Sequence, residues 1–187
     1  FAAMARGSVH VNHATVSVAL ARALAQEHGE RGIDYVAAPV FGRPDAAAAG
    51  KLHVVVAGPA AAVARVRPLL EAIGQGVWPV AGPAERANVV KVAGNFMIAS
   101  AIESIAEATA LTRAEGVSAR DFLDIMTGTL FAAPVFHTYG AIIAERRYAR
   151  TGQGFGLRLG FKDAMLTLAA AEAAHVPMPV ASLLRDN

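Results

Sequence analysis

One helical pattern, running unbroken over residues 84–115, constrains this chain more than any other feature of it. At 1.5 Å per residue the run is about 48 Å long, more than the width of a small domain. Its first half carries Val89, Val90, Val92, Phe96, Met97 and Ile98, apolar almost all round, so it is expected to be buried between partners. Gly116 ends it. Everything after it reads as helix too. Ser118 and Asp121 form a capping-box-like start for a helix over 119–126. Further helical patterns cover 134–147 and 157–175, and Pro177 and Pro179 then break the chain.

Before Gly82-Pro83 the texture is different. Short β-rich runs at 9–12, 33–37, 52–57 and 77–80 are spaced by helical patterns at 16–28 and 59–73. Thr15 or Ser17 can cap the first of those helices, and Gly29 stops it. The run 52–57 is too continuously apolar to be half exposed. Residues 39–44 read as a loop. Strand, helix, strand, strand, helix, strand predicts an α/β layer with helices on a mainly parallel sheet. The boundary is placed at Gly82, with 1–82 the α/β part and 83–187 the all-α part.

Composition narrows the function. Of 187 residues, 55% are hydrophobic and 17% charged, which excludes a disordered chain. With no cysteine there is no disulfide, thiolate metal site or cysteine nucleophile. The net charge is only +2 and the arginines are scattered, so no nucleic-acid surface is expected. The six histidines show no metal-ligand spacing, and no metal is expected. The most apolar window, 92–102, closes at Glu103 and Glu107. That falls short of the roughly 20 residues of a membrane span, and none is expected. Residues 1–6 do not read as a signal peptide, and none is expected there.

Lysine is scarce: Lys51, Lys91 and Lys162 are the three. Lys91 and Asn95 are four apart and share one helix face. A lysine among so many apolar neighbours either reaches water along its stem or sits partly desolvated. In the second case it can move a proton near neutrality, and Asn95 can orient a ligand with a donor and an acceptor. Lys162-Asp163 reads either as a solvated first turn, the acid favoured by the helix dipole, or as a ligand contact. The loop Phe41-Gly42-Arg43 follows the carboxyl end of a strand, the edge where open α/β sheets bind ligands. A dinucleotide cradle, Gly-x-Gly-x-x-Gly between strand and helix, is missing. The nearest string, Gly152-Gln153-Gly154-Phe155-Gly156, follows an arginine-rich segment and fails that context.

Four stretches together resemble the β-hydroxyacid dehydrogenase family, which includes 3-hydroxyisobutyrate dehydrogenase and the glyoxylate and tartronate-semialdehyde reductases. They are Val11-Asn12-His13-Ala14-Thr15-Val16-Ser17, Ala38-Pro39-Val40-Phe41-Gly42-Arg43-Pro44, Lys91-Val92-Ala93-Gly94-Asn95, and the run from Phe155 to Lys162-Asp163. The resemblance covers nearly the whole chain. It implies the back half of a Rossmann-type domain, then a helical domain led by one long helix. It further implies NAD or NADP as cofactor, contacted by Thr15 and Lys162, with Lys91 as the catalytic residue. Gly42 and Asn95 would bind a small hydroxyacid or semialdehyde; Arg43, which the family lacks, either points inward to hold the carboxylate or faces solvent while Phe41 lines a more apolar pocket. A homo-oligomer through the helical domain and a cytoplasmic location are part of the same expectation.

Two departures stand out. The family has Ser-Gly-Gly in the substrate loop where this chain has Phe41-Gly42-Arg43. The family's first βαβ unit, with its Gly-rich turn, would precede Phe1, so the chain reads as N-terminally truncated. The alternatives are an imine-reductase-like relative, which usually lacks the lysine, and a non-catalytic helical dimerisation module.

Overall fold

A computed structural model of the chain describes residues 3–148 and 156–187. The chain packs as two compact units. One holds Phe1–Gly94 with Met165–Pro177, the other Asn95–Ala164 with Met178–Asn187. Every strand among the described residues lies before Gly82, and only helices follow. The protein is mostly helical, with a small sheet region.

In the first unit, β1 (Val9–Asn12) pairs in parallel with β2 (Asp34–Ala37) across helix α1 (Val18–Glu30). Ser17 is the cap, its hydroxyl accepting from the Leu20 amide at 3.0 Å. Thr15 is therefore released from the capping role. Strand β4 (Leu52–Val56) pairs in parallel with β5 (Gly74–Pro79) across helix α3 (Ala60–Ile73). Both parallel pairs are the ones with a full helical crossover between them.

The strand β3 (Val40–Phe41) and the short helix α2 (Pro44–Ala48) occupy what the sequence reads as plain loop. Only ten residues separate β3 from β4, too few for a parallel return, and the two pair antiparallel. One antiparallel bridge, Ala37 to Ala57, joins β4 to β2. The sheet region is thus mixed rather than simply parallel.

Alternation along β2 and β4 sends side chains to two cores. Val36, Ala38, Val54 and Val56 pack on Ala62, Val66 and Leu70 of α3. Tyr35, Ala37, Val55 and Ala57 face Ala84 and Ala87, with Leu24 and Ala25 of α1 beside them. His53, between them on β4, is exposed, so that strand is not apolar throughout.

The long helix α4 spans Glu85–Ala114. Only one stripe of its beginning is buried: Ala87, Asn88, Lys91 and Val92, spaced three and four apart. Val89 is 45% and Met97 68% exposed. The expected all-round burial is not met within this chain, because the α/β layer presents one surface to one stripe. Helix α4 also runs well past Glu103. By length and mean hydropathy alone it would reach across a bilayer, contrary to the sequence expectation. Its buried Asn88 and Lys91, and Ile105 in the helical core, mark it as a core helix instead.

In the second unit, Ile105 of α4 packs with Leu123 of α5 (Ala119–Gly128) and Ile143 of α6 (Pro134–Ala144). Ser118 caps α5, accepting from the Asp121 amide at 3.1 Å. Helix α7 covers Leu157–Ala173 and α8 Pro179–Asp186. The glycine string at 152–156 lies outside the described residues except for Gly156.

Candidate active site

The carboxyl ends of β1 and β2 lie side by side, and polar contacts fix the loop that leaves β1. The Ala38 amide donates to the Asn12 carbonyl at 2.8 Å. The Asn12 side-chain oxygen accepts from the Ala14 amide at 2.9 Å, an Asx turn that reverses the chain. The Asn12 amide donates to the Tyr35 hydroxyl at 3.0 Å, and His13 Nδ1 donates to the Ala38 carbonyl at 2.7 Å. Thr15 follows, half-buried, between this turn and the Ser17 cap. It therefore stands at the carboxyl edge of a parallel pair, just ahead of a helix N-terminus. That is the place where a dinucleotide is held in α/β folds.

The Ala38-Pro39 segment leads from β2 into β3. Gly42 has φ +146, and a Cβ there would come within 2.5 Å of Leu52 Cδ2. The turn is therefore built around glycine, which leaves its amide uncovered by any side chain of its own. Arg43 occupies the N-cap position of α2 and leans toward Asp45, Nε to Oδ1 3.9 Å, with 43% of its side chain exposed.

Lys91 settles the choice the sequence left open: it is 8% exposed, so it does not reach out to water. Its Nζ stands over the Phe41 ring, 4.2 Å from the centroid. The main chain nearby is pinned where Thr167 donates to the Val92 carbonyl at 3.2 Å. Lys91 and Phe41 are thus brought together in the first unit.

In the second unit the Asn95 amide donates to Asp163 Oδ2 at 2.7 Å, and Lys162 Nζ pairs with Asp163 Oδ1 at 3.0 Å. Asp163 is 5% exposed, while Lys162 keeps 44% of its side chain in solvent. The reading of Asp163 as a solvated first-turn acid is corrected: α7 begins at Leu157, so Asp163 lies in its second turn and faces inward. With one Asn95 donor committed to the carboxylate, its side-chain oxygen is oriented by that bond.

Sequence reasoning passed over a histidine pair. His28, 1% exposed, donates from Nδ1 to the Leu24 carbonyl at 2.6 Å. Its Nε2 meets His10 Nδ1 at 2.7 Å, and Tyr35 lies edge-on to the His10 ring and tilted against the His28 ring. Burial, then repulsion from His28, pushes His10 below the ordinary imidazole range. Burial pushes the Tyr35 hydroxyl up, opposed by the Asn12 hydrogen bond. The eighteen-residue spacing of the two histidines carries no local signal.

Taken by itself, the half-buried Thr15 at the carboxyl edge of β1 in the first unit has a hydroxyl of the kind that meets a nicotinamide dinucleotide, and in the second unit Lys162 keeps a partly exposed ammonium suited to an anionic group.

Comparison with known proteins points to one family. Residues 1–111 match the NAD binding domain of 6-phosphogluconate dehydrogenase. Residues 86–186 match the NAD-binding domain of NADP-dependent 3-hydroxyisobutyrate dehydrogenase. The oxidoreductase YfjR of Bacillus subtilis is 36% identical, over 98% of this chain and 63% of its own length. The NAD-dependent L-serine dehydrogenase of Pseudomonas aeruginosa is 33% identical, over 96% of this chain and 61% of its own. Among solved structures, Mycobacterium tuberculosis 3-hydroxyisobutyrate dehydrogenase with L-serine superposes at a TM-score of 0.86. It is 28% identical, and the match covers 99% of this chain and 65% of that one. The chain thus spans about three fifths of the length of the curated relatives it matches. The two matched domains overlap on α4, the helix that carries both Lys91 and Asn95, and together they run through the chain: it belongs to the β-hydroxyacid dehydrogenase family.

Proposed function

We propose that this chain is part of an NAD(P)-dependent oxidoreductase that interconverts a small β-hydroxyacid and its semialdehyde or oxo form. The carrying observation is Lys91, buried on α4 against the loop that holds Phe41 and Gly42. The names of the relatives point to one substrate class. L-serine, 3-hydroxyisobutyrate and 2-(hydroxymethyl)glutarate each carry a hydroxyl on the carbon β to a carboxylate. In this reading residues 1–82 are the back half of a Rossmann-type domain and 83–187 an all-α domain through which a cytoplasmic homo-oligomer forms.

NAD or NADP would supply the hydride chemistry when bound. Thr15 and Lys162 would hold it, the threonine by its hydroxyl and the lysine by its charge. Lys91 takes the hydroxyl proton as the alcohol is oxidised and returns it to the carbonyl oxygen in reduction. Asn95, its amide fixed by Asp163, orients the substrate oxygen with its remaining groups. The Gly42 amide and the Arg43 guanidinium receive the substrate carboxylate, the latter as a planar, permanently charged donor.

The test is Lys91→Ala in the full-length protein. Turnover should fall by about 10²–10⁴-fold, the usual worth of a positioned acid or base, with cofactor affinity unchanged. Near wild-type turnover would remove Lys91 from the proton path.

A further inference from the structure

Phe41 stands where the family resemblance implies a serine, and its ring does something that a hydroxyl would not. Lys91 is 8% exposed, and burial of an ammonium is costly unless something offsets the lost water. The face of an aromatic ring carries negative potential and attracts such a cation. Nζ lies 4.2 Å from the Phe41 centroid, within the range of that interaction. Two features of the backbone place the ring there. Phe41 is held in register opposite His53 of β4. Residue 94 on α4 is glycine, and a Cβ at that position would land 2.7 Å from Phe41 Cε1. Lys91 and Gly94 are three apart, hence on one helix face, so the lysine and the gap that admits the ring are presented together.

We propose that Phe41 is a positioning residue for Lys91: the ring face seats the ammonium, and Gly94 exists to let the ring in. This rests on Lys91 being the proton carrier. A seat of this kind binds the charge without using a hydrogen-bond acceptor, so it leaves the lysine's N–H donors for its polar partners and the substrate oxygen. It also makes the surroundings of Lys91 apolar on that side, where a serine would offer a hydroxyl to the substrate carboxylate. Carboxylate recognition is then left to groups further along the loop.

Two measurements on the full-length protein test the seat. In the first, Phe41 is replaced by mono-, di- and trifluorophenylalanine, which keep the shape while weakening the negative face stepwise. Turnover is expected to fall with each fluorine, by about tenfold across the series, with the cofactor KM unchanged. Phe41→Tyr should keep the rate, and Phe41→Leu should lose it as the most fluorinated ring does. A ring that only fills space gives a flat series, and that result overturns the proposal.

The second measurement needs no turnover. The Lys91 Cε protons should show an upfield ring-current shift by NMR, lost in Phe41→Leu and in Gly94→Ala. No such shift in the wild-type protein also overturns the seat. Lys91→Ala separates the two levels of the argument. If that variant is inactive and the fluorinated series is flat, the seat alone fails. If it turns over normally, the proton-carrier reading fails and the catalytic meaning of the seat fails with it.

Discussion

A single methyl group added at Gly42 should be among the more costly substitutions in the α/β unit. Its φ of +146 lies where L side chains are strained, which costs about 1–3 kcal/mol. The new Cβ would come within 2.5 Å of Leu52 Cδ2, with Ala46 Cβ at 3.4 Å closing the other side. Leu52 is 8% exposed and cannot swing into solvent, so it must leave its rotamer at about 0.5–1.5 kcal/mol. Gly42→Ala should therefore lower stability by about 2–4 kcal/mol. Urea unfolding followed by circular dichroism measures this as a fall in midpoint at constant slope. Leu52→Ala costs about 2–5 kcal/mol by itself. In that background Gly42→Ala should cost only the backbone part, so the cycle should show coupling of about 1 kcal/mol. A loss under about 0.5 kcal/mol for Gly42→Ala would refute the argument, being no more than an ordinary surface change. Strict additivity would refute the Leu52 part alone.

Two further outcomes follow from the same contacts. If Arg43 holds the substrate carboxylate, Arg43→Ala should cost about 2–5 kcal/mol of transition-state binding for acids and far less for uncharged aldehydes, read as kcat/KM over a substrate panel; equal losses would sink that role. His10 is held below the ordinary imidazole value of 6.5, so the unfolded chain takes up a proton first as pH falls. Stability should be level above about pH 6.5 and decline below it, down to the depressed folded value, and His10→Gln should flatten that limb in urea midpoints measured from pH 8 to 5.

Features written in neighbouring residues were legible in the sequence. Ser17 and Ser118 cap their helices because a cap needs only a hydroxyl and an amide three residues on. The two parallel pairs were legible because each demands a helix-length crossover. Strand β3 was not, since two residues have no periodicity of their own and become a strand only by pairing with β4. Asp163 misled for a related reason. Its partner Asn95 is 68 residues away in sequence, so a local reading saw only a helix beginning and the dipole there.

The long helix shows the same limit from the other side. Its opening half is apolar all round, and such a pattern names no face, so the buried stripe is chosen by what packs against it. That choice is what turns Lys91 from an ambiguous lysine into a desolvated one beside an aromatic ring. Gly94 makes the point at a single residue. Within a helix, glycine costs about 1 kcal/mol relative to alanine, and by sequence it is merely a weak spot in a strong pattern. Against the Phe41 ring it is a requirement, because alanine would occupy the space the ring needs. Phe41 in the loop and Gly94 on α4 are separated by 53 positions in the sequence. They form a single device only once β3 is paired and the stripe on α4 is chosen. Loss of the aromatic ring at 41, or a side chain at 94, should therefore break it.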